Sequence, residues 1–340
     1  MTRAALLLSL TFLSACTGLW AQAISKRVGD DLLSLPSYEG RLSERGLLAD
    51  SKAKVVRKVL YQRPWKVRAE VLEPESRKGD LSAYDGQTLT LWWPKELFGI
   101  RVRGLHSPTE AEVRAHLEAE TRANLAAYAF HLVDEAQVAG QSTNHWKVIP
   151  KQQDVPYRLL HEAWMHASYS IPVRMDFFGP DGKTPWYGMQ FESMKVGVEV
   201  PKDAFAFEFP PNAVVFEWDW SDPPLALDEA RRTMNFTVRT IQSPPEGQRL
   251  RKVIKGRHDL PMLSMLYGEG ATWLSLTENR NYAGQLAIPV GKKVKIGEHE
   301  GTLNFMGSFT VLSWTLGDTH LTLIGNQGFP TLIEVARSVR

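Results

Sequence analysis

The six residues His161–His166 (HEAWMH) come nearest to a reactive motif in this chain. A zinc-protease helix places two histidines four positions apart on one helix face, whereas these histidines are five positions apart. In a strand, His161 and His166 would face opposite sides of the sheet. We therefore predict no metal site here. Gly268-Glu269-Gly270 is typical of a hairpin turn.

The remaining residue types argue against catalysis. The sequence has no glycine-rich phosphate loop, no nucleophile elbow and no paired-carboxylate motif. Its single cysteine, Cys16, excludes disulfides within the chain and a catalytic thiol elsewhere. We predict a protein that is not an enzyme and needs no cofactor, and we keep a secreted hydrolase with an unrecognised site as the second alternative. A net charge of +2 without a basic stripe argues against nucleic-acid binding.

The N-terminus predicts export. Arg3 precedes a short apolar run, Ala4–Ala15, which is too short to span a bilayer. Leu13-Ser14-Ala15-Cys16 fits a bacterial lipobox, in which Cys16 would be lipidated. Ala21-Gln22-Ala23 fits an ordinary signal cleavage before Ile24. Because the only cysteine ends the apolar run, we favour the lipobox and a lipid-anchored protein of the periplasm or cell envelope.

Residues 24–220 are predicted to form a mostly antiparallel sheet with two helices. Helical spacing covers Ile24–Leu35, and a capped helix is predicted to start with a Ser107 cap and to run to Ala127. Period-two patterns predict the strands Tyr38–Leu48, Lys54–Tyr61, Trp65–Val71, Thr88–Trp93, Gly99–Gly104, Phe130–Val138, Asn144–Pro150, Arg158–Met165, Pro172–Phe178, Trp186–Lys195 and Ala204–Phe209. Two amphipathic helices are too few to seal so many strands, which leaves room for an apolar cavity.

A change in composition at Trp218 predicts a linker, followed by a short helix over Leu225–Met234. The chain is thus divided into a signal segment 1–23, a first domain 24–220, a linker with its short helix 221–248 and a smaller α+β domain 249–340. The last domain is predicted to contain the strands Leu250–Ile254, Pro261–Tyr267, Trp273–Thr277, Lys293–Ile296, Gly301–Met306, Phe309–Thr315 and His320–Gly325, and a final helix Pro330–Val339.

The stretch Tyr61–Pro94 resembles LolA, the periplasmic lipoprotein-carrier family. The matching positions are Gln62-Arg63-Pro64, Glu73-Pro74, Asp85–Leu89, Trp93-Pro94 and, further on, Phe205–Pro211. Val138–Gly140, Ile149–Lys151 and Ile171–Lys183 resemble the branch that contains RseB, an envelope-stress sensor that restrains an anti-sigma factor. Leu227–Phe236, Pro245–Gly247, Leu266–Gly270, Ser313-Trp314 and Ile333–Val339 are similar to a C-terminal domain attached to such carriers and to anti-sigma-linked proteins.

This resemblance implies a strongly curved, unclosed antiparallel half-barrel covered by helices, with a smaller α+β domain after it. It implies binding of lipoprotein acyl chains, lipid or an apolar peptide, in a carrier or sensor role. The first alternative is a regulator that binds a membrane-anchored anti-sigma factor. By the resemblance, Arg63 takes part in handing the ligand on. The predicted cavity residues, whose apolar members are core by default, are Arg63, Trp65, Val67, Leu89, Leu91, Trp93, Met175, Phe177, Met189 and Phe191.

Overall fold

A computed structural model describes residues 27, 29–46, 54–63, 65–152, 160–179, 181–256, 261–269, 272–280, 291–306, 309–325 and 327–340. The predicted signal segment, Cys16 and the start of the predicted first helix lie outside the described residues. Residues 29–34 are helical. Leu33 in this helix and Leu35 directly after it are buried. Among the described residues, no helix has the length and apolar character needed to cross a membrane.

Within the described residues, twelve strands form the first sheet. They are β1 Ser37–Arg45, β2 Lys54–Gln62, β3 Lys66–Glu73, β4 Leu81–Tyr84, β5 Leu89–Trp93, β6 Phe98–Arg103, β7 Tyr128–Val138, β8 Gln141–Pro150, β9 His161–His166, β10 Pro172–Phe178, β11 Pro185–Val196 and β12 Val214–Asp219. Their order is β12-β6-β5-β4-β3-β2-β1-β11-β10-β9-β8-β7, so β12 and β7 are the two edges. Every pair is antiparallel except β12 with β6, which is parallel.

Helix α1, Glu110–Ala127, connects β6 to β7. Its N-cap is Thr109 and not the predicted Ser107. The Thr109 hydroxyl accepts a hydrogen bond from the Glu112 amide at 3.3 Å, and the Glu112 carboxylate accepts one from the Thr109 amide at 2.7 Å. This reciprocal capping box sets the start of the helix two residues later than Ser107 would.

The second sheet lies later in the chain and has seven strands among the residues that the structure describes. They are β13 Leu250–Lys255, β14 Met262–Glu269, β15 Thr272–Arg280, β16 Lys292–Ile296, β17 His299–Met306, β18 Phe309–Leu316 and β19 Thr319–Gly325, in the order β13-β14-β15-β19-β18-β17-β16. A short helix α2, Leu227–Thr233, precedes them, and α3, Phe329–Arg337, follows them. The apolar side of α3 packs on one face of this sheet through Leu332, Ile333 and Ala336.

The predicted strand Ala204–Phe209 is wrong, because this segment has no regular secondary structure. On the way from β11 to β12, it crosses the face of the first sheet that carries the Arg68 and Arg101 side chains. Its carbonyl groups accept hydrogen bonds from side chains: Arg68 donates to Ala204 and Ala206, and Arg101 donates to Phe207 at 3.1 Å. The three phenylalanines at every second position imitate a strand in sequence, but arginine side chains take the place of a neighbouring strand. Trp218 and Asp219, where the composition changes, complete β12, and the predicted linker 221–248 stays a prediction.

Candidate functional site

The predicted apolar residues share one face of the first sheet, which we call the inner face. Cross-strand register places Phe191 opposite Leu42, Val67 opposite Tyr84 and Leu89 opposite Val102. The same register aligns Met175 with Met189 and Phe177 with Tyr187. Trp65, in the turn before β3, packs against the same core. The alternation in the sequence therefore identified one continuous surface.

One half of the inner face is covered. Val67, Leu89, Leu91, Trp93 and Phe191 are buried in a core. The second sheet contributes Ile254, Met262, Trp273, Val311 and Ile324 to this core. The second sheet therefore covers part of the inner face, a role that the sequence analysis did not assign to it. These five predicted residues, like Trp65, are packing residues in this structure, and a contact with ligand stays a prediction for them.

Two apolar rows cross the other half of the inner face, from β7 to β11. The first row runs Leu132, Trp146, Ala163, Met175 and Met189, each residue opposite the next. The second row runs Phe130, Val148, His161, Phe177 and Tyr187. We call these ten residues the apolar rows. They bring together three of the predicted cavity residues, Met175, Phe177 and Met189.

The apolar rows are most exposed at the β7 edge. Leu132 is 56% exposed and Phe130 is 38% exposed, which is unusual for large apolar side chains on a sheet. Trp146, Met175 and Met189 are half-buried. Phe329 of α3 packs edge-on against Phe177, with ring centroids 5.9 Å apart, and bounds the second row. The rows thus form an apolar surface that is open at β7.

A buried polar network lies where the rows end. On the next strand, Glu44 stands opposite Met189. Its carboxylate accepts a hydrogen bond from Arg57 Nε at 2.5 Å and one from the Tyr187 hydroxyl at 3.0 Å. Burial, with the Glu44 charge beside it, raises the pKa of Tyr187 well above its usual value, so the phenol stays a donor. Sequence reasoning missed this network because Glu44 and Arg57 lie in strands with several other charged residues, and no local pattern marks these two as buried.

Arg63 does not lie on the apolar rows. It stands in the turn after β2, where its amide donates to the Pro36 carbonyl at 2.9 Å and its guanidinium forms an ion pair with Glu110, the first residue of α1. Both side chains of the pair are about half-exposed. Arg63 therefore links the corner of the sheet to the start of the helix, and a contact with a ligand head group stays a prediction.

The outer face of the sheet carries polar and charged groups. A cavity of about 160 Å³ is lined by Arg45, Lys54, Arg174, Asp176 and Glu192, most of which pair with each other. Arg174 also lies over the Trp164 ring, which stacks on His145. Among the described residues, no group of three histidine, cysteine or acidic side chains is arranged to hold a metal ion.

The sequence also missed Phe130, Leu132 and Trp146. Their signal was available in part, because Phe130 and Leu132 alternate with His131 in a predicted strand. The alternation does not show that β7 is an edge among the described strands of the sheet, where alternating apolar residues are left uncovered.

Comparison with known proteins locates the fold. No protein-family model matches this sequence, and no curated protein matches it well enough to count as a relative. Solved structures do match. The crystal structure of MucB is 15% identical, with 92% of this chain and 95% of that chain covered and a TM-score of 0.50. A complex of Pseudomonas aeruginosa MucA and MucB is 15% identical, with coverages of 94% and 98% and a TM-score of 0.46.

A third match concerns part of the chain. A LolA superfamily protein from Nitrosomonas europaea is 14% identical and covers 55% of this chain and 97% of its own length, with a TM-score of 0.26. At these identities the likeness to MucB shows a shared fold. The fold is LolA/RseB-like: a large, curved, unclosed sheet with few helices and a smaller α+β unit. The predicted fold class and the resemblance from which it came are thereby confirmed.

Proposed function

We propose that this chain is an exported binding protein of the bacterial cell envelope that takes up an acyl chain of a lipid or lipoprotein on the apolar rows. The observation that carries this proposal is the apolar surface on one face of the strands β7 to β11, where Phe130 and Leu132 are exposed and Trp146, Met175 and Met189 are half-buried. Methionine side chains adapt to ligands of variable shape. Each buried methylene group contributes about 0.8 kcal/mol, so binding requires no chemistry and the protein is proposed not to be an enzyme.

The chemistry of the rows favours hydrocarbon over peptide. A peptide lying across the strands would bring its amide and carbonyl groups against apolar side chains, where they find no partners. An acyl chain has no such groups. Lipoprotein sorting and lipid sensing would both use this same surface.

A second candidate function is binding of a partner protein, as expected of an RseB-like regulator of an anti-sigma factor. The observation that favours it is the edge strand β7, which bonds to β8 on one side only among the described strands. Such an edge accepts an extended peptide by strand addition. Capture of a membrane-anchored anti-sigma factor that protects β7 amides from hydrogen exchange would support this candidate. Capture without protection would locate the partner elsewhere.

The acyl-binding proposal is tested by two matched substitutions. Leu132→Asp places a charge in the first row, whereas Val214→Asp places one at the opposite edge strand, β12, where the side chain is 51% exposed. Because both sites are exposed, both variants should fold. Loss of the leucine contact and burial of a carboxylate should weaken binding of a fluorescent fatty acid by tenfold or more for Leu132→Asp. Equal affinities of the two variants would refute the site.

A further inference from the structure

The apolar rows are open at one end and closed at the other. At the β7 edge, Leu132 is more than half exposed. At the other end, the side chains of Arg57 and Glu44 are 3% and 5% exposed. An apolar chain lying along the first row would pass from solvent to a buried charged pair, because Glu44 stands between Met189 and the next apolar residue in line, Val55.

The closed end is a buried, hydrogen-bonded network. Glu44 accepts from both Arg57 and Tyr187, and Val55 and Val71 pack around the network with Tyr187. A buried ion pair that loses one partner destabilises a protein by about 3–5 kcal/mol. A few extra methylene groups, at about 0.8 kcal/mol each, do not offset the displacement of this pair. The network therefore limits how far the ligand chain extends along the row.

The strand count gives the length of the open surface. The rows cross from β7 to β11, which is four spacings of about 4.8 Å, or about 19 Å along the sheet. Glu44 stands one strand further, on β1. An extended palmitoyl chain has about this length, and its head group would remain in water at the β7 edge.

We infer that the Glu44–Arg57–Tyr187 network sets the maximum chain length of the ligand, which enters with its tail from the β7 edge and is accommodated up to about a palmitoyl chain. This inference rests on the proposed acyl binding. The three residues of the network determine specificity for chain length. They act on the terminal methyl group of the ligand and not on its head group. The carboxylate and the guanidinium neutralise each other, so neither is free to bind a charged head group.

The first measurement uses the full chain and a series of saturated fatty acids: octanoate, laurate, myristate, palmitate, stearate, arachidate and behenate. Each acid displaces a fluorescent fatty acid below its micelle concentration. Up to palmitate, affinity should rise about fourfold per methylene, the factor that corresponds to about 0.8 kcal/mol. Beyond palmitate, affinity should stay level or fall. A steady rise to behenate would overturn the inference while leaving the proposed function intact, whereas absence of binding throughout would overturn both.

The second measurement uses a variant that lacks the network. The triple variant Glu44→Leu, Arg57→Met and Tyr187→Phe replaces the network with apolar side chains of similar size. Proteins often tolerate such a replacement of a buried ion pair without loss of stability. Its affinity should keep rising from palmitate to arachidate. The matched control is Arg77→Met with Asp80→Leu, which removes another buried ion pair outside the rows and should keep the break at palmitate. A break that stays at palmitate in the triple variant would refute the inference.

A further variant does not depend on removal of buried charge. Met175→Trp fills the first row at its fourth strand, on a half-buried side chain. It should shift the break in the affinity series from palmitate towards laurate. An unchanged break would show that the ligand does not run along this row.

Discussion

Glu278 gives the sharpest quantitative prediction for the second sheet. It lies on β15 with no exposed surface. Both of its carboxylate oxygens accept from the Arg239 amide, at 3.0 and 3.1 Å. This contact fixes the segment that leads into the second sheet, which in turn covers the inner face. Burial raises the pKa of Glu278 from 4.5 to about 8, against the opposing effect of the Arg239 hydrogen bond.

The magnitude follows from this shift in pKa. Between pH 4.5 and about 8 the folded state binds more protons at Glu278 than the unfolded state does. Its contribution to stability is therefore fully present below pH 4.5 and is lost as the pH rises to about 8. From pH 4.5 to about 7, at about 1.4 kcal/mol per pH unit, the loss is on the order of 3 kcal/mol. Glu278→Gln cannot ionise and removes this dependence.

The assay is urea unfolding of the wild type and of Glu278→Gln across this pH range. The free energy of unfolding of the variant, minus that of the wild type, should increase by about 3 kcal/mol from pH 4.5 to about pH 7. Glu298→Gln removes the same type of group from the exposed turn between β16 and β17, and its difference should stay within about 0.5 kcal/mol. A constant difference for Glu278→Gln would refute the reasoning.

Three other predictions concern the first sheet. Arg63→Leu removes an exposed ion pair with Glu110 and should lower stability by less than about 1 kcal/mol while changing ligand transfer to vesicles; lower stability with unchanged transfer would make Arg63 purely structural. Gly99→Ala would bring a methyl group to 2.2 Å from the Phe209 ring and should cost about 1–3 kcal/mol in urea unfolding; a neutral result would contradict the packing of that segment. Burial lowers the pKa of His166, so thermal stability should be lost on acidification, and His166→Gln should flatten this profile.

The arrangement of the first sheet was predictable where local patterns decide it. Alternating apolar residues in β3, β5, β10 and β11 placed Met175 and Met189 on one face, and the register of the strands preserved that placement. The pattern failed at Ala204–Phe209, where hydrogen bonds from Arg68 and Arg101 decide the conformation. Those donors lie more than a hundred residues away, so no local window contains them.

The candidate site was predictable as a set of apolar side chains but not as an open surface. Leu91 and Met189 look alike in sequence, yet the core that includes residues of the second sheet buries Leu91, whereas Met189 in the apolar rows is half-buried. This difference depends on how two sheets pack, which alternation within a strand does not encode. The same holds for Glu44 and Arg57, whose pairing across β1 and β2 turns two isolated charges into one buried network.

Acyl binding on the apolar rows is tested most directly by photocrosslinking the full chain with a palmitate that carries a diazirine near its terminal methyl group. We expect peptide mass spectrometry to find the label on Met175, Met189 or their neighbours in β10 and β11, with a signal that excess palmitate removes and that Leu132→Asp strongly reduces. Labelling confined to the outer face, or labelling that excess palmitate does not displace, would show that the apolar rows do not hold the acyl chain.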